Sequence, residues 1–303
     1  MQSFKDVVAF GDSMSDNGNL FREYAIPGPP YWQGHFTNGK NWIEYLAGYL
    51  SNANLHDYAY GGAVSNISNA FDITINAGLK GPSVKASKIP DVFQQFNIYL
   101  RDKKISSLSA DTTLFSVFIG GNDLSFSAES GAIPNPVTIA GNSITVADMI
   151  LSRGGKHILV SNMPPLQDTP LISNDPNMKP FVAFVGLIVQ GYNLALAKGL
   201  SQLRTKFPHA NIILNDFNNV TSYMRTPAGS KYYNLTEVYH TCINTTFICK
   251  NPENYFFWDY IHPTTTSHNF LAQHAFNQIF NLPGYVIQTI KKSAKFVTKS
   301  CTR

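Results

Sequence analysis

Apolar positions along this chain follow two rhythms. Short runs rich in Val, Ile, Leu and Phe read as buried strands at Asp6 to Phe10, Thr113 to Ile119, His157 to Ser161 and Asn211 to Asp216, with a further strand near His56 to Tyr60. Between most of them the spacing is helical. The clearest case runs from Lys179 to Phe207, where Phe184, Leu187, Ile188, Tyr192, Leu196 and Leu200 recur at helical intervals. Gln190, Gly191, Asn193 and Lys198 break the apolar stretch Phe181 to Leu200, which therefore reads as an amphipathic core helix and not a membrane span. Strands alternating with helices predict a mostly parallel sheet covered on both faces, with ligands bound beyond the strand C-termini. Three stretches fit neither rhythm and read as long loop insertions: 65–90, 125–142 and 221–254. They are candidates for a lid, with Phe71, Phe126 and Tyr232 or Tyr233 meeting the substrate.

The first strand stops at Gly11-Asp12-Ser13, and Asp16 or Asn17 can cap a following helix. A hydroxyl beside unpaired helix N-terminal amides suits nucleophilic attack, although serines after strands are often plain turn residues. A serine needs a base, and the base an orienting group. Far along the chain, Asp259 and His262 lie three residues apart after Phe256-Phe257-Trp258, an aromatic run that would bury the carboxylate. The bland alternative is a surface Asp and His flanking the turn at Pro263. If the pair does act on Ser13, activity falls as the imidazole protonates. An oxyanion also needs donors. Asn122, in Ile119-Gly120-Gly121-Asn122-Asp123, offers a side-chain amide, and Gly62, in Tyr60-Gly61-Gly62-Ala63, offers a bare backbone N–H.

These segments, in this order, resemble the blocks of the GDSL, or SGNH, hydrolase family: F-G-D-S-M-S-D-N-G-N with Ser13, Y-A-Y-G-G-A with Gly62, I-G-G-N-D with Asn122, and D-Y-I-H-P-T with Asp259 and His262. A fifth stretch from Gly34 to Ala47 resembles the G-R-F-S-N-G-x-x-W-x-E-Y-L-A segment of the lipase-like branch, with His35 where Arg is usual. Asp57 stands where Asn is common, which puts any support from that amide in question. The resemblance implies a three-layer α/β/α sandwich of flavodoxin-like layout, catalysis by Ser13, His262 and Asp259, and an oxyanion hole from Ser13, Gly62 and Asn122. Over the whole length the chain is most similar to bacterial secreted lysophospholipase A, phospholipase A and glycerophospholipid-cholesterol acyltransferase-type members.

The expected reaction is hydrolysis of lipid acyl esters, most of all lysophospholipids or phospholipids, through an acyl-enzyme on Ser13. Transfer of the acyl group to a sterol, removal of acetyl groups from carbohydrate, and a non-catalytic binding or adhesion module on the same fold remain alternatives. Secretion implied by the resemblance favours a Cys242 to Cys249 disulfide over two reduced thiols, and leaves Cys301 over. Lys5 and Asp6 precede the first strand with no apolar leader, so the chain is read as a mature bacterial form with its leader removed.

Composition narrows the rest. With 303 residues, 44% of them hydrophobic and 14% charged, the chain can bury a large core, and blocks at both ends that must meet argue for one domain over residues 1–303. A formal charge of +4 without an aromatic-interleaved basic patch excludes nucleic acid as the expected partner. Lys291, Lys292, Lys295 and Lys299 read as a solvated helix face, with transient contact to an anionic membrane surface as the alternative. His262, His268 and His274 recur at a spacing of six, which does not gather ligands on one helical face, so no metal and no cofactor are expected.

Overall fold

The computed structural model describes residues 2–76, 82–102, 109–244 and 247–282. Nine strands occur in it: β1 (Asp6–Gly11), β2 (Asn54–Asp57), β3 (Thr74–Asn76), β4 (Ser83–Lys85), β5 (Thr113–Phe118), β6 (His157–Ser161), β7 (Asn211–Asn215), β8 (Glu237–Thr241) and β9 (Tyr255–Phe257). The helices are α1 (Asn19–Tyr24), α2 (Trp42–Tyr49), α3 (Val92–Arg101), α4 (Gly121–Ser130), α5 (Pro136–Ser152), α6 (Pro170–Ser173), α7 (Val182–Lys206), α8 (Phe217–Met224), α9 (Pro227–Tyr233) and α10 (Thr265–Phe280). The four lysines of the C-terminal run and Cys301 lie outside the described residues.

The central sheet has five parallel strands in the order β2-β1-β5-β6-β7. Because side chains alternate across a strand, Val8 and Phe10 of β1 enter a core that includes residues of α3, α5 and α7. Val7 and Ala9 enter the opposite core with residues of α2, α8 and α10. Burial on both faces is why β1 and β5 are mostly apolar runs, with buried Ser116 the polar position inside β5. After β2 the chain crosses to the other side of β1, so the strand order reverses between β1 and β5. A crevice opens at such a switch point beyond the strand C-termini.

Three expectations need correction. The stretch 125–142 is not a loop but the end of α4 and the start of α5. Gly131 at φ 73° ends α4, and Asn135 accepts hydrogen bonds from Val137 N (3.1 Å) and Thr138 N (3.2 Å) to start α5 at Pro136. The stretch 221–254 likewise holds α9 and β8, with Thr226 capping α9 ahead of Pro227, while 65–90 includes the antiparallel β3–β4 pair. In α7, Phe184 and Leu187 are exposed rather than core, and the buried face is Val189, Tyr192, Leu196, Leu200 and Leu203. The reason is register: α7 runs parallel to α5, with Gly191 against Pro136 and Gly199 against Ile144, so its first turns project past the start of α5. The Lys179–Lys206 helix is long and apolar enough to cross a membrane by length and composition, and one face of it is buried here.

Candidate active site

Ser13 follows β1 in a turn closed by Ser15 N and Asp16 N donating to the Asp12 carbonyl at 2.9 and 3.0 Å. Side chains hold that turn from several sides. Buried Gln95 clasps the Gly11 peptide, accepting from its N–H at 2.9 Å and donating to its carbonyl at 2.9 Å. Asn41 donates to the Ser15 carbonyl at 2.6 Å, and the Trp42 indole donates to Ser15 Oγ at 3.1 Å.

The expected helix N-terminus beside Ser13 is not there, because α1 begins only at Asn19. Asp16 accepts from the N–H groups of Gly18 (2.8 Å), Asn19 (2.6 Å) and Leu20 (3.2 Å), which fixes the helix start downstream of the serine. The same carboxylate accepts from Gly61 N at 2.7 Å and so ties the serine turn to the Gly62 loop.

His262 Nε2 lies 2.8 Å from Ser13 Oγ, and Nδ1 lies 2.7 Å from Asp259 Oδ2. The loop closes on itself: Asp259 Oδ1 accepts from Ile261 N (2.8 Å) and His262 N (2.7 Å), and Trp258 N donates to the His262 carbonyl at 2.8 Å. Phe256, Phe257 and Trp258 are buried, as the aromatic run implied. Burial pushes the Asp259 carboxyl up, but the His262 charge and the hydrogen bonds from His262 and Ile261 outweigh it and hold the group below its ordinary value. Asp12, against Ser13, moves the other way: burial raises its carboxyl to about 7, opposed in part by the Met14 N–H and the His262 charge. His268, beneath the site, accepts from Trp42 N at 3.2 Å, and burial lowers it to about 3, so it stays neutral.

Gly62 and Asn122 line one cavity with Ser13 and His262. The Asn122 amide donates one hydrogen to the Ala63 carbonyl at 2.8 Å, which leaves its second hydrogen for a ligand and fixes the Gly62 loop. Gly62 sits at φ +76°, and a Cβ there would collide with Ile75 Cδ1 and press on Ile89 Cδ1 at 3.1 Å. Gly62→Ala is expected to lower kcat about 10²–10³-fold, the scale of one lost oxyanion donor, with KM nearly unchanged. Adding Ile75→Ala is expected to restore part of the loss, and steady-state kinetics of both variants check it; a Gly62→Ala enzyme at full speed would show that the collision with Ile75 does not displace the residue 62 N–H.

The two departures from the family pattern are both accommodated. Asp57 accepts from Asn17 N (3.0 Å) and Ala59 N (2.9 Å), so the carboxylate joins the serine turn to the glycine loop itself. His35 pairs with Glu44 at 2.8 Å, and Glu44 completes the capping box of α2 with Asn41.

The cavity measures about 220 Å³ and runs from Ser13 among Phe118, Met163, Leu166, Phe217 and Phe257. Of the expected lid aromatics only Phe126 lines it. Phe71 and Tyr232 are exposed, and Tyr233 packs on Phe270 with ring centroids 4.6 Å apart. Cys242 and Cys249 form a disulfide, and Cys242 N and Ile243 N donate to the carbonyls of Phe257 (3.0 Å) and Trp258 (2.8 Å), just before Asp259. Sequence reasoning missed Gln95, Asn41 and Tyr31, whose hydroxyl donates to Asp259 Oδ2 at 2.7 Å. The capping pattern Asn41-x-x-Glu44 was a readable signal for Asn41; nothing local marks the other two.

Known proteins resemble this chain in sequence and in fold. The chain is 24% identical to the thermolabile hemolysin of Vibrio parahaemolyticus over 92% of its own length, and spans 65% of that protein. It is 26% identical to a GDSL esterase/lipase of Arabidopsis thaliana, covering 95% of this chain and 90% of the relative. Among solved structures, a GDSL-like lipase from Parabacteroides merdae superposes with a TM-score of 0.51 at 13% identity, over 92% of this chain and 97% of the other, a likeness of fold. Residues 7–275 match the model of the GDSL-like lipase/acylhydrolase family, and the chain belongs to that family of enzymes acting on carboxylic esters.

Proposed function

We propose that this enzyme hydrolyses long-chain acyl esters of phospholipids or lysophospholipids through an acyl-enzyme on Ser13. The observation that carries the reading is the apolar cavity continuing from the serine into the core. An acetyl group needs no such space, whereas an acyl chain gains about 0.8 kcal/mol for each methylene buried there.

The geometry supports the following course. His262 Nε2 takes the Ser13 proton as Oγ attacks the ester carbonyl, and Asp259 stabilises the imidazolium formed. Ser13 N–H, Gly62 N–H and the second Asn122 hydrogen receive the oxyanion. The imidazolium then protonates the leaving alcohol, and a water activated by the same nitrogen releases the fatty acid.

Three further features favour a membrane lipid secreted-enzyme reading. One relative is named a hemolysin. Phe181, Phe184 and Leu187 are exposed at the start of α7, where Gly186 packs on Gln167, next to the cavity residue Leu166. The Cys242–Cys249 disulfide suits an oxidising compartment.

The test is a series of p-nitrophenyl esters from acetyl to palmitoyl, followed by lysophosphatidylcholine, diacyl phosphatidylcholine and triacylglycerol of matched chain length, with cholesterol added in parallel. Each added methylene is expected to raise kcat/KM up to about four-fold until the cavity is full, with phospholipid preferred over triacylglycerol. An optimum at acetyl would overturn the lipid reading, and cholesteryl ester formation would make the enzyme a transferase.

A further inference from the structure

We propose that Tyr31 is a positioning residue that sets the basicity of His262 through Asp259. The inference rests on the reading of His262 as the base for Ser13.

Asp259 Oδ2 accepts two side-chain hydrogens, from His262 Nδ1 at 2.7 Å and from Tyr31 OH at 2.7 Å. Its other oxygen takes the Ile261 and His262 backbone N–H groups at 2.8 and 2.7 Å. The carboxylate is thus fully subscribed, and the phenol competes with the imidazole for the same atom. Tyr31 comes from a loop 228 residues away in sequence and does not line the cavity, so it acts on substrate through its partner.

Its placement is built rather than incidental. The ring stands edge-on to Trp258 at 6.4 Å and to Phe36 at 6.2 Å, and Phe36 in turn packs against the His262 ring at 5.2 Å. Tyr31 N donates to the Gly28 carbonyl at 3.2 Å. Burial, with the nearby Asp259 charge, raises the phenol far above its ordinary value, so the hydroxyl remains a donor across the working range.

A donor at Oδ2 draws charge from the oxygen that faces His262. Without it the carboxylate would hold the imidazolium more tightly, and the imidazole would take its proton at higher pH. The other titratable groups coupled to this region are Asp12, His268 and, beside His268, His35. Burial raises the Asp12 carboxyl to about 7, so its contribution to the pH profile has to be separated.

The experiment compares kcat/KM against pH for the full chain and Tyr31→Phe on a soluble p-nitrophenyl ester, each also in an Asp12→Asn background. The acid limb of Tyr31→Phe is expected to move up by about 0.5–1 pH unit in both backgrounds, with KM little changed. Placing 3,5-difluorotyrosine at position 31, a stronger donor, is expected to move it down. A uniform loss of kcat with an unmoved acid limb would show a merely structural tyrosine and overturn the proposal, as would a shift that disappears in Asp12→Asn. Ser13→Ala on the same ester separates the two levels: turnover in that variant would sink the His262 mechanism itself, whereas an inert Ser13→Ala with an unmoved limb sinks only the role of Tyr31.

Discussion

Ser13→Ala is expected to lower ester turnover by about 10⁶-fold, on the scale of nucleophile removal from other serine hydrolases. The substitution removes one oxygen 2.8 Å from His262 Nε2 and leaves the turn intact. That turn is held by Asn41, Trp42 and Gln95 through Ser15 and Gly11, none of which touches the Ser13 hydroxyl. Melting temperature should therefore stay close to that of the parent chain while activity vanishes. The sharper check is a double variant. With serine and imidazole read as one device, Ser13→Ala with His262→Ala is expected to lose little more than Ser13→Ala alone. Additive losses in single-turnover assays would mean that the two residues work independently, against the hydrogen bond between them.

Asp259→Asn is expected to cost about 10⁴-fold in kcat at neutral pH. Two backbone N–H groups, the Tyr31 hydroxyl and the His262 ring all donate to this side chain. An amide offers a single acceptor oxygen. With that oxygen on the backbone donors, its NH₂ faces Nδ1 and selects the tautomer protonated at Nε2, which cannot accept the Ser13 proton. Stability should change with a definite sign. The Asp259 carboxyl is held below its ordinary value in the folded chain, so the stabilisation is present above the unfolded pKa and is lost as pH falls through the folded one. The melting-temperature gap between parent and Asp259→Asn is thus expected to be widest near neutrality and to close on acidification below about pH 4. A gap constant across that range would assign the stability effect to packing and not to charge.

How much of this could be read from the residues depended on whether the cause was local. β1, β5 and β6 announced themselves because a strand buried on two faces is mostly apolar, and the half-buried edge strand β7 did so through Ile212-Ile213-Leu214. β2 was displaced: the sheet pairs Asn54–Asp57, a polar edge segment, whereas Tyr58 to Tyr60 looked more like a strand. Tyr58 N and Tyr60 N still donate to the carbonyls of Ala9 and Gly11, so those tyrosines continue the β1 edge without regular pairing. The stretch 125–142 was misread because its apolar residues are diluted with Ser, Gly and Asn, although Gly131 and Asn135-Pro136 were helix signals in plain view. Ser13, Gly62, Asn122, Asp259 and His262 were legible as motif residues, and the structure brings four of them to one cavity with Asp259 behind His262. Gln95 and Tyr31 were not legible. Each reaches its partner across a long span of chain, and no periodicity or spacing records such a meeting.

The separation of 249 positions between Ser13 and His262 bears on the enzyme's earliest moments. Ser13, just after β1, is made long before His262, and β1 itself waits for β5 to pair on its inner side. The base arrives only with the loop that follows β9, just after Phe256 and Phe257 of β9 and ahead of Leu271, which also line the cavity. Until then the serine is an ordinary alcohol. With His262 read as the base, a chain stalled or cut ahead of residue 262 is expected to have no esterase activity, so turnover reports on completion of the fold.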